Sequence, residues 1–125
     1  METEERRAYR RFNITIPIEY KFASFQENMT KTSTLDISAN GLRFTVKERP
    51  LAEDEVHIIL DLPQKQRALL AAKVIWSKDL DEGECEIGVK LADTKSEDGK
   101  IFMDFYSEQL LKFVDATRDQ ARFIK

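Results

Sequence analysis

The strongest constraint on how this chain folds is an alternation of apolar and polar residues that recurs through its first two thirds. In "NITIPIEYKF" the residues Ile14, Ile16, Ile18, Tyr20 and Phe22 are apolar, while the positions between them include Thr15, Glu19 and Lys21. That spacing belongs to a strand with one buried face. Pro17 falls on the outward side, where a missing N–H predicts an edge or a bulge. The same register returns in "GLRFTV" (Leu42, Phe44, Val46) and "EVHIILDL" (Val56, Ile58, Leu60, Leu62). It returns again in "RALLAAKVIWS" (Leu70, Ala72, Val74, Trp76), which puts Trp76 inside, and in "ECEIGVKL". A less apolar segment, "TKTSTLDIS", supplies one further strand before Gly41. Polar breaks separate these runs: "SFQENMTK", "KERPLAEDE", "PQKQR" and "KDLDEGE". Short strands at regular spacing with one-sided alternation predict an antiparallel barrel or sandwich, spanning residues 13–92.

After Lys90 the period changes. Ile101, Phe102, Phe105, Leu110, Phe113, Val114, Ala121 and Ile124 follow near-helical spacing, which predicts a helix over 96–124. Ser96, Glu97 and Asp98 supply N-terminal helix chemistry, although Gly99 weakens the first turn. The first half is expected to pack on the barrel. The second half, from Thr117, is expected to fray or to meet a partner, and a homodimer through this helix is one such arrangement. Residues 1–12 read as a flexible arginine-rich arm.

The 125-residue length fits one domain. A net charge of −3 argues against a whole-surface role in coating nucleic acid or anionic lipid, so any anion site must be local. Cys85 is the only cysteine, which excludes an intramolecular disulfide and a cysteine-based zinc cluster. Alternation turns it inward with Ile87, Val89 and Leu91, as an inert buried thiol. There is no apolar run of signal-peptide character and no stretch near ~20 apolar residues, so a cytoplasmic protein without membrane insertion is expected. The sequons at Asn13 and Asn28 then carry no glycosylation. His57, the only histidine, should face solvent between Val56 and Ile58. No Ser/His/Asp order, glycine-rich phosphate loop or metal-ligand spacing occurs, so neither an enzyme nor a metal site is expected.

Two features remain. Arg6, Arg7, Arg10 and Arg11 form two interleaved RxxxR pairs just after Glu2, Glu4 and Glu5. A solvated, charge-mixed tail would look the same. All four cations are arginine, however, whose planar fork suits phosphate or guanine O6 and N7 where lysine offers a point charge. The second feature is "TLDISANGLRF", in which Asp36, Ser38 and Gly41 form DxSxxG. A plain hairpin turn accounts for Ser, Asn and Gly, and an Asn40-Gly41 pair suits a tight turn. It does not account for an Asp and a Ser two positions apart, projecting the same way from a strand end.

The two features together, with "VIWS" and "EIGVKL" downstream, resemble the PilZ domain family over roughly Glu5 to Phe113. What the resemblance implies is a six-stranded antiparallel β-barrel with a C-terminal α-helix, acting as a bacterial receptor for the second messenger cyclic di-GMP. Carried over by position, the family's arginine pair falls on Arg7 and Arg11, and its second motif on Asp36, Ser38 and Gly41. Arg6 matches an arginine that goes with two stacked ligands per chain. Arg10 and Asn40 are additional candidates. In this scheme Asp36 accepts from guanine N1–H and N2–H₂, and Ser38 adds a hydroxyl. Gly41 either lets backbone approach the base or adopts positive φ. The arm orders over the ligand, aided by Tyr9 and Phe12, and signals to an unidentified effector in motility, biofilm or exopolysaccharide control. No cofactor beyond the ligand is implied.

Alternatives stay open at this point. One is a PilZ-like protein–protein adaptor for pilus or flagellar machinery with weak or no ligand binding. Another is a small barrel binding nucleic acid through the arm. That reading needs outward aromatics for base stacking, and the outward positions carry Thr, Glu, Lys and Arg, so no nucleic-acid polymer is expected as a partner.

Overall fold

Each alternating segment forms a strand, because a chain with apolar residues at every second position can bury one face while its backbone groups pair with neighbours. The computed structural model describes residues 10–24 and 28–124, with side chains in the last helix described to 116. The strands are β1 (Pro17–Phe22), β2 (Thr30–Ser38), β3 (Gly41–Val46), β4 (Glu55–Leu62), β5 (Gln66–Asp79) and β6 (Cys85–Leu91). They pair antiparallel in the order β1-β2-β3-β6-β5-β4, and β4 closes on β1 to make a barrel. Closure removes the unpaired edges that an open sheet would expose. Among the described residues the barrel is followed by one α-helix, α1 (Glu97–Ile124).

The alternation predicts the interior well. Tyr20, Phe22, Phe44, Ile58, Leu60 and Ile87 are all buried, with the Tyr20 ring packed against Phe22 and Phe44. Cys85 is buried and free. Pro17 differs from the edge or bulge expected of it. It is the first residue of β1, and the ladder to β4 begins only at Ile18, so its missing donor costs no rung. The chain before Pro17 is tied to β2 by Thr34, whose buried hydroxyl accepts from Ile16 N–H (2.8 Å) and donates to the Ile14 carbonyl (2.7 Å).

Two bulges interrupt the alternation. In β2, Thr34 pairs with Phe44 and Asp36 with Arg43, which leaves Leu35 extra. In β5, Val74 pairs with Val89 and Trp76 with Gly88, which leaves Ile75 extra. One added residue turns the following side chains to the opposite face. Trp76 therefore lies on the outside of the barrel, 38% exposed, and not in the core as simple alternation predicts.

Ser96 caps the helix, its hydroxyl accepting from Gly99 N–H at 3.0 Å. Phe102, Phe105 and Tyr106 join the barrel core, while Leu110, Leu111 and Val114 further along are exposed. Among the described residues no helix is long and apolar enough to cross a membrane.

Burial pushes the Tyr20 phenol up to about 12, with Glu48 adding to the rise and the Lys47 N–H opposing it. The folded state holds the neutral form, so this contribution is complete below about pH 10 and is lost as pH rises from 10 towards 12. Urea unfolding at stepped pH should show that decline, accompanied by one late phenolate in the absorbance titration. Tyr20→Phe should remove both.

Candidate functional site

The β2–β3 connection is a two-residue hairpin in which Ser38 and Gly41 pair across Ala39 and Asn40. Neither Ala39 nor Asn40 takes positive φ, and neither does Gly41. The turn is thus not the mirror-image type that an Asn-Gly pair favours, and of the two roles expected for Gly41 the positive φ is absent. Its missing side chain serves packing: a Cβ there would sit 2.5 Å from the Val89 carbonyl oxygen of β6. The Asn40 side chain accepts from the Ser38 hydroxyl at 3.1 Å, and its carbonyl accepts from Leu91 N–H. The turn is therefore pinned to β6 as well as to its own strands.

Asp36 and Ser38 do project the same way, because the Leu35 bulge puts Asp36 outward and strand period keeps Ser38 beside it. Pairing then carries Asp36 across the wall in one row: Asp36 beside Arg43, Arg43 beside Gly88, Gly88 beside Trp76. Four strands contribute to this row. The Arg43 guanidinium donates to Asp36 Oδ2 (2.9 Å) and to Glu86 Oε2 (2.5 Å). Glu86 and then Asp36 raise Arg43 above its already high range, against the partial burial that opposes the charge. Asp36 is only 8% exposed, so a carboxylate here needs such a partner.

This row floors an open cleft of about 160 Å³, whose lining includes Arg11, Asp36, Ser38, Gly41, Arg43 and Trp76. Asn40 and Lys90 also line it. Arg11 comes from the segment before β1, which is held where Phe12 exchanges backbone hydrogen bonds with Ile37 (2.9 Å each). Strand alternation then separates the neighbours of Arg11. Arg10 does not line the cleft, since its guanidinium lies 3.8 Å from the centroid of the Phe113 ring in α1. Arg6, Arg7 and Tyr9 lie outside the described residues. The lining carries Arg11, Arg43 and Lys90 against one carboxylate, Asp36, while Glu86, outside the lining, pairs with Arg43. Among the described residues no cluster of His, Cys, Asp and Glu has metal-site geometry.

Four residues here are not picked out as site residues by the sequence, Arg43, Glu86, Gly88 and Trp76, although the last three lie within "EIGVKL" and "VIWS". Arg43 was legible as outward from "GLRF", but its pairing with Asp36 depends on register. Gly88 is the missed signal for Trp76. A Cβ at Gly88 would come 2.3 Å from Trp76 Nε1, so the indole occupies the space that the glycine leaves.

The PilZ domain family model matches residues 5–108. The chain belongs to the PilZ domain family. A search of the curated proteins gives no match. Among solved structures, this PilZ domain is similar to the Bacillus subtilis inhibitor of motility MotI/DgrA (TM-score 0.67, 17% identity), over 86% of this chain and 52% of that one. The PilZ domain of Escherichia coli YcgR, solved with c-di-GMP, is also similar (TM-score 0.62, 12% identity, 88% of this chain and 98% of that one). A third is a Xanthomonas campestris protein described as a tetrameric PilZ domain self-assembled through a helical bundle (TM-score 0.51, 12% identity, 74% and 52%). At these identities the likeness is one of fold. The chain spans about half the length of the MotI/DgrA chain.

Trp76 is the only tryptophan and so a single reporter of the cleft. Gly88→Ala should displace the indole, shifting its emission to longer wavelength and lowering stability by about 1–3 kcal/mol. An unshifted spectrum would mean that the indole does not rest on Gly88.

Proposed function

We propose that this PilZ domain is a receptor for cyclic di-GMP that signals to an effector protein through its N-terminal arm. The observation that carries the reading is the meeting of Arg11 with Asp36 and Ser38 at one cleft, from segments distant in sequence. The ligand has matching chemistry, with two phosphate charges and two guanine edges. The Arg11 fork holds a phosphate by charge-assisted bonds, or donates to guanine O6 and N7. Arg43 engages Asp36 Oδ2, and the other oxygen accepts from guanine N1–H or N2–H₂, donors that adenine lacks. Ser38 contributes a hydroxyl, Asn40 an amide, and Trp76 an aromatic surface for a base. The similarity in fold to the YcgR domain solved with c-di-GMP supports the assignment.

The cleft is smaller than the ~300–1,000 Å³ of sites that enclose a drug-sized ligand. Asp36 and Glu86 take up the Arg43 charge, which leaves Arg11 and Lys90 to face the two phosphate charges of each ligand. Both facts call for the arm. Arg7 joins Arg11 as the phosphate clamp, and Arg6 extends the clamp to two stacked ligands per chain. Ordering of the arm over the ligand then presents a new surface to the effector. The likeness to an inhibitor of motility favours motility as the process, with biofilm or exopolysaccharide control as further outputs. The role is that of a cytoplasmic receptor or adaptor, without a catalytic step.

Calorimetric titration with cyclic di-GMP, with GTP and cyclic di-AMP as controls, tests this. Arg11→Ala should weaken binding roughly 10- to 150-fold, the range for losing hydrogen bonds to a charged group. Asp36→Ala should weaken it while narrowing the preference for guanine, and saturation should come at two ligands per chain. Unchanged affinity in Arg11→Ala contradicts the assignment.

A second reading, as a partner-binding adaptor, is favoured by the exposed Leu110, Leu111 and Val114 on α1. The helical-bundle assembly described for the Xanthomonas protein supports a homodimer through this helix as one form of it. Light scattering should then show a dimer that Leu111→Glu converts to monomer.

A further inference from the structure

Arg10, Arg11 and Phe12 follow one another as a short extended segment with helix on one side and barrel wall on the other. Alternation sends Arg10 and Phe12 towards α1 and Arg11 towards the cleft. Among the described residues the side facing α1 is held at three points. The Tyr106 hydroxyl donates to the Arg10 carbonyl at 2.6 Å. The Arg10 guanidinium lies 3.8 Å from the centroid of the Phe113 ring. The Phe12 ring packs between Tyr106 and Phe113, with centroid separations of 5.6 and 6.3 Å. On the opposite side Phe12 exchanges two backbone hydrogen bonds with Ile37, the residue between Asp36 and Ser38.

We propose that Tyr106 and Phe113 are positioning residues for the anion cleft, acting through Arg10 to hold Arg11 beside Asp36 and Ser38. The proposal rests on the receptor reading above and assigns the helix a part in it. An arginine on an unrestrained segment loses backbone and side-chain freedom when it binds, and that loss subtracts from affinity. Fixing the carbonyl before Arg11 and the ring after it removes much of that loss before the ligand arrives. The coupling is reciprocal: contacts that tighten ligand binding are themselves tightened by the ligand. A ligand on Arg11 therefore strengthens the seat of Phe113, one turn of helix that also carries the exposed Leu110, Leu111 and Val114. Arg10 thus belongs to transmission, and its charge is directed to the helix and not to the ligand.

The test uses the full chain and cyclic di-GMP as probe, comparing wild type with Tyr106→Phe, Phe113→Leu, Arg10→Ala and the double variant Arg10→Ala/Phe113→Leu. Calorimetry should show about fivefold weaker binding for Tyr106→Phe, the size of one lost hydrogen bond. A loss of about two- to fivefold is expected for Phe113→Leu, from the cation–π contact. The double variant should be no weaker than the weaker single one, because Arg10 acts through Phe113. Hydrogen exchange in the segment 106–114 should slow when ligand binds to wild type, and this slowing should vanish in Arg10→Ala. Phe113 is partly exposed, so its substitution leaves the barrel folded even if Tyr106→Phe does not. Wild-type affinity in both Tyr106→Phe and Phe113→Leu overturns the proposal and leaves the receptor reading intact. Additive losses in the double variant also overturn it, since Arg10 would then touch the ligand itself. A wild-type chain that does not bind cyclic di-GMP overturns the receptor reading and this proposal with it.

Discussion

A strand that gains one residue against its neighbour turns every later side chain to the other face of the sheet. In this barrel two such gains, Leu35 in β2 and Ile75 in β5, decide what the outer wall presents. Without the first, Asp36 would point into a core of Tyr20, Phe44 and Ile87, where an unpaired carboxylate is costly. Without the second, the Trp76 indole would have to be packed inside. With both, an acid, a guanidinium, a glycine and an indole fall in one row across four strands. The outward acid of the cleft and its single tryptophan both follow from those two irregularities.

Within that row Arg43 has two carboxylate partners, so its charge is spent on holding Asp36 and Glu86 in place. Such a group stiffens the floor and fixes which Asp36 oxygen remains outward. It does little to attract an anion. The other cations of the lining are Lys90 of β6 and Arg11, which comes from the segment before β1. The receptor reading proposed above rests on this arrangement, a floor fixed by ion pairs with an arginine brought to it from outside the barrel.

The segment that carries Arg11 is shared with the helix. Phe12 is stitched to β2 by its backbone and to α1 by its ring, so barrel, arm and helix meet at one residue. The part of α1 beyond Tyr106 leaves the barrel and exposes its apolar residues just where it touches the arm. The cleft and the exposed apolar residues of α1 are therefore linked through Phe12 and Phe113.

Much of this was legible before the structure. Period-2 alternation located the strands, the change of period located the helix, and Asp36, Ser38 and Gly41 could be picked out as a group. Those features are local, depending on residues two to four positions apart, and one sequence states them directly. What the sequence did not state was register. Pairing between strands distant along the chain set Arg43 beside Asp36 and Gly88 beneath Trp76. The packing of Tyr106 and Phe113 on the arm turned Arg10 away from the cleft that Arg11 faces. The sequence by itself determined a one-sided β-barrel with an outward Asp-Ser pair near a hairpin turn and four arginines ahead of the first strand. Only the tertiary structure decided where Arg10, Arg11 and Arg43 lie, because a side chain's partner depends on pairings and bulges that no local pattern encodes.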